Sequence, residues 1–548
     1  MRNYNQNLPH VAYFCMEYGL HEEFQIYAGG LGILAGDHMK SAGDLKVPLV
    51  GIGLLWRHGY TTQYIGEDGR PYDVYPNNEY DFLQDTGVSV PVVIRGRQVI
   101  CKVWKVDKYG NAPLYLLDTD IPENEDRWIT GKLYGGYSET RIAQEMVLGI
   151  GGIRALRALG IRIDVYHFNE GHAIFAGIEL IREKMQQGYS FEAAWDMVRN
   201  QTVFTTHTPV PAGNESHNLD VLEHMGAFNG LNREQMYRLG GDPFGMTIAA
   251  LRLSRMANAV AQLHGETARR MWKDVSGSSP IMAITNGVHT RTWWDPRIRE
   301  AYKKGLDLWE PHMLAKHDLI KEVEARNGVK LNPEALLIGF ARRAAPYKRS
   351  DFIFRQPEII EPLLREGKIQ LIFAGKAHPN DDMGKSIISN LYHASQRYPN
   401  SVVFLQNYDM KIGRLLTSGS DVWLNNPRRP QEASGTSGMK AAMNGVLNMS
   451  TLDGWWPEGC EHGVTGWQIG DGYEGHDQDH HDLQSLYQVL LNEVVPTFYD
   501  NRTRWIQMMQ ASIDMSHHKF SAERMVQEYY GRLYTMAGEA WKQAAAGK

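Results

Sequence analysis

The sequence predicts an α/β fold in which a mostly parallel, twisted sheet carries helices on both faces. Near-continuous apolar runs such as residues 48–56 are typical of parallel strands that are buried on both sides. These runs alternate with segments of helical periodicity, for example residues 141–159 and 174–185. With 548 residues, 43% hydrophobic and 22% charged, the chain is expected to form two or more domains.

Composition argues against several classes of function. The net charge is −6 and the isoelectric point is near 6.4. No basic surface for nucleic acid or anionic membranes is therefore expected, and any anion must be bound by local cationic groups. Three scattered cysteines favour a reducing compartment over a disulfide framework. The first residues do not resemble a signal peptide, and no apolar run approaches about eighteen residues. We expect a soluble, cytoplasmic protein.

The first strand is predicted at residues 11–15, and a glycine cluster, Gly29, Gly30, Leu31 and Gly32, leads from it into a helix. Glycines between a strand and a helix allow backbone N–H groups to face a phosphate. A simple tight turn is the alternative, because the cluster lacks the spacing of a dinucleotide-binding fingerprint. Both interpretations stay open on this pattern alone.

The next strand, at residues 48–56, is followed by polar residues 57–63, which are expected to line a crevice at the strand end. Short alternating runs between residues 88 and 119 then predict an antiparallel excursion from the sheet. Helical periodicity returns at residue 141, so the overall order stays α/β.

Three later strand ends carry polar residues of interest. The first of these strands is followed by His172, the second by a loop that contains His207, and the third by Asn286. Polar side chains beyond the carboxyl ends of strands line the ligand crevice of an open α/β sheet. An isolated histidine is nevertheless more often a structural group than a catalytic one.

A change of domain is predicted near residue 330, where a charged helical stretch gives way to a new apolar strand. That strand is followed by four cations within eight residues, Arg342, Arg343, Lys348 and Arg349. Guanidinium groups at a strand end suit phosphate oxygens. A basic turn on the surface is the alternative.

Residues 432–440, Glu-Ala-Ser-Gly-Thr-Ser-Gly-Met-Lys, precede a helix predicted at residues 439–443. Small residues there allow backbone N–H groups to approach an anion. Lys440, near the start of the helix, can form a Schiff base with an aldehyde cofactor whose phosphate rests on the turn. The alternative is an ordinary loop with a solvated lysine.

This last motif, followed by Asn-Gly and by Thr-Leu-Asp-Gly at residues 451–454, resembles the cofactor segment of the α-glucan (glycogen, starch and maltodextrin) phosphorylases. The resemblance extends in order through both halves of the chain, which is similar to a short form of that family. It implies that Lys440 carries pyridoxal 5′-phosphate. The 5′-phosphate of that group would pass a proton to the substrate phosphate, which protonates the departing glycosidic oxygen.

The resemblance also assigns the remaining site residues. It implies that Arg343 and Lys348 bind the substrate phosphate and that His207 contacts the glucosyl unit through its ring and backbone carbonyl. Other residues would bind the cofactor, namely Arg342, Tyr408, Gly435, Thr436, Ser437 and Gly438. A third set would bind substrate, namely Gly29, Gly30, Leu31, Gly32, His172, Asn286, Glu432 and Ser434.

Two positions depart from the family pattern. Arg342 stands where the family usually has a lysine, and Asp409 stands where it commonly has an arginine near the cofactor. The second change replaces a cation by an anion and puts the detailed cofactor contacts in doubt. Lys411 or Arg428 is the nearby cation expected to compensate.

The implied fold has two Rossmann-like domains that face a cleft, as in glycosyltransferases of the GT-B type. We expect an N-terminal domain at residues 1–330 and a C-terminal domain at residues 331–520. A last helix at residues 521–548 is expected to cross back onto the first domain. A His/Asp-rich stretch at residues 475–482 lacks metal-ligand spacing on a regular element, so we expect a polar loop and no metal site.

The implied reaction is phosphorolysis of a terminal α-1,4-linked glucose to glucose 1-phosphate, with an α-glucan and inorganic phosphate as partners. A homodimer and unregulated catalysis are expected. Two alternatives stay open: a nucleotide-sugar-dependent, glucan synthase-type glycosyltransferase, which shares the fold but needs no aldehyde cofactor, and an inactive glucan-binding protein. Chain-length preference is not predicted.

Overall fold

The computed structural model describes residues 8–535, which form two compact units. The first unit contains residues 8–60, 75–285 and 522–535. The second contains Thr61–Val74 and Asn286–Ser521. The mixed α/β class predicted from the sequence is confirmed, because both units are built on parallel strands and helices.

The strands are short and mostly buried, as their apolar sequences predict. In chain order they are β1 Val11–Phe14, β2 Leu49–Leu54, β3 Thr62–Ile65, β4 Pro71–Val74, β5 Gln84–Ile94, β6 Arg97–Val106, β7 Leu114–Asp118, β8 Val165–Asn169, β9 Thr202–Thr205, β10 Ser216–His217, β11 Phe244–Gly245, β12 Met256–Ala259, β13 Ile281–Ala283, β14 Leu336–Ala341, β15 Ile369–Ala374, β16 Val402–Leu405, β17 Val422–Asn425, β18 Leu447–Thr451 and β19 Gly466–Ile469.

The first unit is organised around a nine-stranded sheet with the order β13-β12-β9-β8-β1-β2-β7-β6-β5. Strand β1 lies between β2 and β8 and pairs in parallel with both. The predicted antiparallel excursion is observed, because β6 pairs antiparallel with β5 and with β7. Strand β7 itself returns to the parallel part of the sheet beside β2.

The second unit is organised around a six-stranded sheet with the order β16-β15-β14-β17-β18-β19, and every pairing in it is parallel. All six residues of β14 are buried, as expected for a central strand covered on both faces. Because the strands are parallel, their carboxyl ends meet at one edge of the sheet. Residues that follow β14 and β17 are therefore brought together there.

Helices cover these sheets. Those of the first unit are Gly30–Leu45, Ser138–Met146, Gly152–Ala158, Ile174–Gln186, Phe191–Asn200, Leu219–Met225, Arg233–Gly240, Met246–Leu253, Gln262–Trp272 and Ala522–Glu528, with π-helical turns at Val147–Gly151 and Tyr529–Tyr534. Those of the second unit are Thr290–Trp293, Pro296–Lys303, Trp309–Asn327, Pro357–Arg365, Asp382–Arg397, Met410–Gly419, Ser437–Met443, Trp456–Gly459, Gln478–Val489, Val495–Asp500 and Arg502–Ser516, with a π-helical turn at Leu490–Val494.

One local prediction needs correction. The stretch 475–482 is not entirely a loop, because the helix Gln478–Val489 begins within it, and its residue Asp479 accepts hydrogen bonds from Arg349 and Arg428. The polar segment 57–63 runs into a two-stranded hairpin, β3 with β4, that belongs to the second unit. The predicted last helix is described only as far as residue 535; the rest of 521–548 lies outside the described residues.

Within residues 8–535, no helix has both the length and the apolar composition needed to cross a membrane. Cys15 and Cys101 are buried thiols, and Cys460 is a partly exposed one.

Candidate functional site

Three predicted site residues form one buried polar cluster in the second unit. Arg342, directly after β14, donates from Nη1 to Asn425 Oδ1 at the end of β17, at 2.7 Å. Its Nη2 forms a salt bridge with Glu432. Lys348 Nζ lies 3.9 Å from Glu432 Oε2. The cluster thus joins cations that follow one strand to a carboxylate about ninety positions later in the chain.

The electrostatics of this cluster leave it with an excess of positive charge. Burial lowers the pKa of Lys348 to about 7, and the charges of Arg342 and Arg343 add to that effect. Burial alone would raise the pKa of Glu432, but Arg342 and Lys348 outweigh it and hold that pKa below its ordinary value. Glu432 is therefore ionised, and one carboxylate faces several cations. Such an arrangement favours binding of a further anion.

Two neighbouring cations in this turn, Arg343 and Arg349, differ in their exposure and in their partners. Arg343 is exposed, and its guanidinium has no hydrogen-bond or salt-bridge partner within residues 8–535, so it is available to a ligand. Arg349 is only 1% exposed and pairs at 2.9 Å with both Asp479 and Asp482. It also donates to the backbone carbonyl of Asn426 at 2.7 Å. Arg349 therefore supports the loops around the cluster and does not extend the ligand site.

The turn that begins at Glu432 is held by the Thr-Leu-Asp-Gly segment. Asp453 Oδ2 accepts a hydrogen bond from the Glu432 amide at 3.0 Å, and the Trp455 amide donates to the Ser434 carbonyl at 2.9 Å. Gly454 has a φ of +58°, and a Cβ there would lie 2.2 Å from the Ser434 carbonyl oxygen. The two motifs are therefore one structural feature.

Lys440 lies in the helix Ser437–Met443 and is 5% exposed. Its Nζ stands 3.9 Å from the centroid of the Trp293 ring, which is a favourable cation–π distance. Gly438 is required by close packing, because a Cβ there would meet Asn448 Oδ1 at 2.7 Å. Ser437 Oγ accepts a hydrogen bond from Trp423 Nε1 at 3.1 Å. This lysine is thus part of the packed interior and not a solvated charge.

Of the other second-unit candidates, Ser434 and Tyr408 follow strands of the same sheet, whereas Asn286 follows β13 of the nine-stranded sheet in the chain. Ser434 is 3% exposed, and its hydroxyl has no hydrogen-bond partner among the described residues. A buried hydroxyl without a partner is an unmet demand that a ligand can satisfy. Asn286 is buried. Burial raises the pKa of the Tyr408 hydroxyl to about 12, and the charge of Asp409 acts in the same direction.

Asp409, which departs from the family pattern, has a structural role. It is the N-cap of the helix Met410–Gly419, and its carboxylate accepts a hydrogen bond from the Ile412 amide at 3.0 Å. The two cations expected to compensate for it have other partners. Lys411 lies 3.5 Å from Glu322, and Arg428 forms two hydrogen bonds to Asp479, at 2.9 and 2.7 Å.

The glycine cluster in the first unit already binds an internal carboxyl group. Glu17, just after β1, accepts hydrogen bonds at its Oε1 from the amides of Ala28, Gly29 and Gly32, at 3.0, 3.0 and 2.9 Å. The helix Gly30–Leu45 begins inside the cluster. Two of the four predicted phosphate-facing residues, Gly29 and Gly32, thus donate to Glu17. The amides of Gly30 and Leu31 have no hydrogen-bond partner in the described part of the chain.

His207 is fixed by Asn169, the last residue of β8, and by Glu170, which follows it. Its Nε2 lies 2.7 Å from Asn169 Oδ1, and its backbone amide donates to Glu170 Oε2 at 2.9 Å. Burial lowers the pKa of His207 to about 3, with further contributions from His264 and His172. The ring is therefore neutral near pH 7, and its Nε2 carries the proton because an amide oxygen only accepts. The backbone of Glu170 has a φ of +77°, which is uncommon for a residue with a side chain.

His172 lies in the short 3₁₀ turn Gly171–Ala173 that follows Glu170. Its Nε2 is 3.0 Å from Nη2 of Arg141. The first-unit candidates are thus concentrated after β1, β8 and β9, as their positions at strand ends predict.

Sequence reasoning missed Glu17, Glu170 and Arg141. The first two each follow a buried strand within a few residues, which is the signal that identified His172 and His207. Arg141 lies within a helix, and no local pattern distinguishes it from a surface arginine.

Comparison with known proteins identifies relatives along nearly the whole chain. A family model described as carbohydrate phosphorylase matches residues 306–458. The chain is 42% identical to a maltodextrin phosphorylase of Thermococcus litoralis, over 98% of this chain and 72% of that protein. It is 34% identical to a glycogen phosphorylase of Aquifex aeolicus, over 96% and 86%, and 40% identical to an uncharacterised protein of Methanocaldococcus jannaschii, over 96% and 99%. The chain belongs to the carbohydrate phosphorylase family.

Proposed function

We propose that this chain is an α-glucan phosphorylase, which transfers the terminal α-1,4-linked glucosyl unit of glycogen or a maltodextrin to inorganic phosphate and releases glucose 1-phosphate. The observation that carries the proposal is the buried cluster of Arg342, Lys348 and Glu432, beside which Arg343 stands without a partner among the described residues. Excess positive charge next to a single ionised carboxylate suits a site where phosphate meets sugar hydroxyls. The names of the relatives support the same reaction.

The arrangement proposed for the chain is two Rossmann-like domains that face a cleft, as in the GT-B type. Strand order supports the Rossmann-like part. Numbered from its own first strand, the second sheet has the order 3-2-1-4-5-6, and the first sheet runs 3-2-1-4-5-6-7 apart from its antiparallel edge. That is the doubly wound order, in which ligands bind beyond the carboxyl ends of the strands.

The proposed division of labour follows the predicted domains. The first, at residues 1–330, would carry the glycine cluster and the sugar-site histidines, and the second, at 331–520, would bind cofactor and phosphate. The last segment, 521–548, would return to the first domain. In the compact units the chain changes unit at residues 285–286 and returns at 521–522.

Pyridoxal 5′-phosphate is the proposed cofactor, and the residues around Lys440 fit it. The Lys440 amine is buried against an aromatic ring, and the turn before it has small residues that leave the backbone accessible. When bound, the group supplies a phosphate that exchanges a proton with the substrate phosphate. Lys440 would hold it, with contacts from the remaining proposed cofactor residues, Arg342, Tyr408, Gly435, Thr436, Ser437 and Gly438.

In the proposed mechanism, Arg343 and Lys348 bind inorganic phosphate and offset the repulsion among its oxygens. Glu432, ionised and oriented by Arg342, accepts hydrogen bonds from sugar hydroxyls, and the buried Ser434 hydroxyl adds another contact. A carboxylate in this role binds the sugar and need not attack it, in contrast to a glycosidase nucleophile.

On the first unit, Gly30 and Leu31 offer backbone amides to the phosphate, while Glu17 holds the rest of the cluster in place. His207 is kept neutral, and Glu170 fixes its backbone. The backbone carbonyl near His207 would then face positive charge that develops on the sugar during cleavage.

The test is phosphorolysis by the enzyme supplied with pyridoxal phosphate. Maltodextrin and inorganic phosphate are mixed with the protein, and glucose 1-phosphate is measured. We expect release by the unaltered enzyme and a loss of about 100-fold or more for Lys348→Met, because a buried phosphate contact is removed. Lys330→Met, an exposed lysine of the same unit, is the matched control and should keep full activity.

Other outcomes assign other functions. Glucan elongation from a nucleotide sugar without glucose 1-phosphate release would identify a synthase-type glycosyltransferase. Glucan binding with neither reaction would identify a binding protein.

A further inference from the structure

Arg141, in the helix Ser138–Met146, connects an acidic pair to His172. Its Nη2 lies 3.0 Å from His172 Nε2, and its Nε lies 3.4 Å from Glu145 Oε1 and 3.2 Å from Glu215 Oε2. All four residues belong to the first unit. The proposed mechanism gives no role to Arg141, Glu145 or Glu215.

The contact between Arg141 and His172 fixes the tautomer of the imidazole. A guanidinium has five N–H donors and no acceptor, so His172 Nε2 must accept the hydrogen bond. Burial lowers the pKa of His172 to about 3, and the charge of Arg141 lowers it further. The ring is therefore neutral near pH 7 and carries its single proton on Nδ1.

The Nδ1–H of His172 has no hydrogen-bond partner within the described residues, although the side chain is only 7% exposed. Buried donors are nearly always paired, so an unpaired one in a family of enzymes points to a missing ligand. A neutral N–H suits a hydroxyl oxygen better than a phosphate, for which the cluster in the second unit provides cations.

The surroundings of His172 lead to the glycine cluster. The ring of Tyr134 lies 5.9 Å from the ring of His172 and 5.2 Å from the guanidinium of Arg141. The Tyr134 hydroxyl hydrogen-bonds to Glu17, the carboxylate that accepts from the Gly29 amide. His172 is thus connected through two side chains to the loop proposed to bind substrate.

The acidic groups hold Arg141 in place. The ligand atoms of Glu145, Glu215 and His217 lie within 4.8 Å of one another, a spacing that would also suit a metal ion. Arg141 already supplies the positive charge between the two carboxylates. Burial and the neighbouring Glu215 raise the pKa of Glu145. Burial also acts to raise the pKa of Glu215, but His217 and Arg141 outweigh it and lower that pKa. One proton shared by Glu145 and Glu215, together with the charge of Arg141, therefore balances the negative charge of the two carboxylates.

We propose that Arg141 is a positioning residue that fixes His172 as its Nδ1–H tautomer, and that this N–H donates to a hydroxyl oxygen of the bound glucosyl unit. The inference rests on the proposed function and deepens it by naming a donor and its orienting partner. Arg141 itself touches no substrate.

The first test compares His172→Asn with His172→Gln in the enzyme loaded with cofactor. The Asn amide nitrogen reaches the position of Nδ1, and the Gln amide reaches that of Nε2. Calorimetric titration with glucose 1-phosphate should give an affinity within about threefold of the unaltered enzyme for His172→Asn and a loss of about tenfold for His172→Gln. His224→Gln, an exposed residue of the same unit, is the control.

The second test identifies the hydroxyl. Glucose 1-phosphates that lack one hydroxyl at a time are titrated into the unaltered enzyme and into His172→Gln. One analogue should bind about tenfold more weakly to the unaltered enzyme but show no further loss with His172→Gln, because the two changes remove the same hydrogen bond.

The role of Arg141 is tested by a pH profile. In Arg141→Met the pKa of His172 should rise, because a neighbouring positive charge is removed. The ratio of the glucose 1-phosphate dissociation constants of Arg141→Met and of the unaltered enzyme should then change as the pH falls towards the raised pKa of His172, because titration of Lys348 and of the ligand cancels in that ratio. Equal affinities of His172→Asn and His172→Gln, with no analogue coupled to His172, would overturn the inference while leaving phosphorolysis intact. Failure of the unaltered enzyme to bind glucose 1-phosphate would overturn both.

Discussion

At the scale of single residues, the ionisation of Lys348 makes phosphate binding depend on pH. Its pKa is lowered to about 7 by burial and by Arg342 and Arg343. The side chain is therefore charged below pH 7 and becomes neutral above it. Arginines do not titrate in this range, so Lys348 is the cation of the cluster that is lost as the pH rises.

We predict that the affinity of the unaltered enzyme for glucose 1-phosphate, relative to that of Lys348→Arg, falls by up to about tenfold per pH unit above pH 7. The variant keeps its charge throughout, and because both proteins see the same ligand, titration of the ligand cancels in the ratio of their dissociation constants. The measurement is that ratio from pH 6 to 9. A ratio that stays constant would mean that Lys348 does not change its charge in this range.

The sequence predicts only some of the contacts among the site residues. Arg342 and Lys348 follow one strand and Glu432 follows another, and parallel strands bring such positions to one edge. The ion pairs of Arg349 could not be predicted from the sequence, because its partners Asp479 and Asp482 belong to a helix about 130 residues away in sequence. A pattern of four cations records their spacing but not the direction of each side chain.

At the scale of elements, the turn that precedes Lys440 depends on a segment about twenty residues later. Gly454 packs against the Ser434 carbonyl with a φ of +58°, and Asp453 holds the amide of Glu432. This explains in physical terms why the two motifs occur together. One shapes the backbone of the other.

We predict that Gly454→Ala weakens both stability and phosphorolysis. A Cβ at 2.2 Å from the Ser434 carbonyl oxygen forces the turn to shift, in addition to the strain of a positive φ. We expect a cost of about 3 kcal/mol, measured as a shift of the denaturant midpoint.

Gly328→Ala is the matched control. Its φ is +69° but nothing lies within 4 Å of the position of its Cβ, so only the backbone strain of about 1 kcal/mol should remain. If the two variants lost equal stability and activity, the contact with Ser434 would have no role.

Element boundaries show what local patterns miss. Periodicity identified β1, β2, β14 and the helix Ile174–Gln186 because each buries an apolar face. The helix Gln478–Val489 begins in a stretch of polar residues that looks like a loop. Its first turns are stabilised by contacts such as that of Asp479 with Arg428, which join distant parts of the chain.

At the scale of the whole molecule, the chain crosses between its two units four times, since Thr61–Val74 joins the second unit before the chain returns to the first. Neither composition nor turn residues mark that short hairpin as part of another unit. A cytoplasmic location and a homodimer remain predictions. The relatives that share most of this chain place it in its family, and the chemistry proposed for it centres on Lys440.

The most direct test of the account is therefore to locate the cofactor. The purified enzyme, supplied with pyridoxal phosphate, is examined by absorption before and after borohydride, and the reduced adduct is mapped on peptides. We predict a Schiff-base band that borohydride removes, with the label on Lys440, and no label in Lys440→Met. A folded protein with no band and no adduct, or a label on another lysine, would contradict the account.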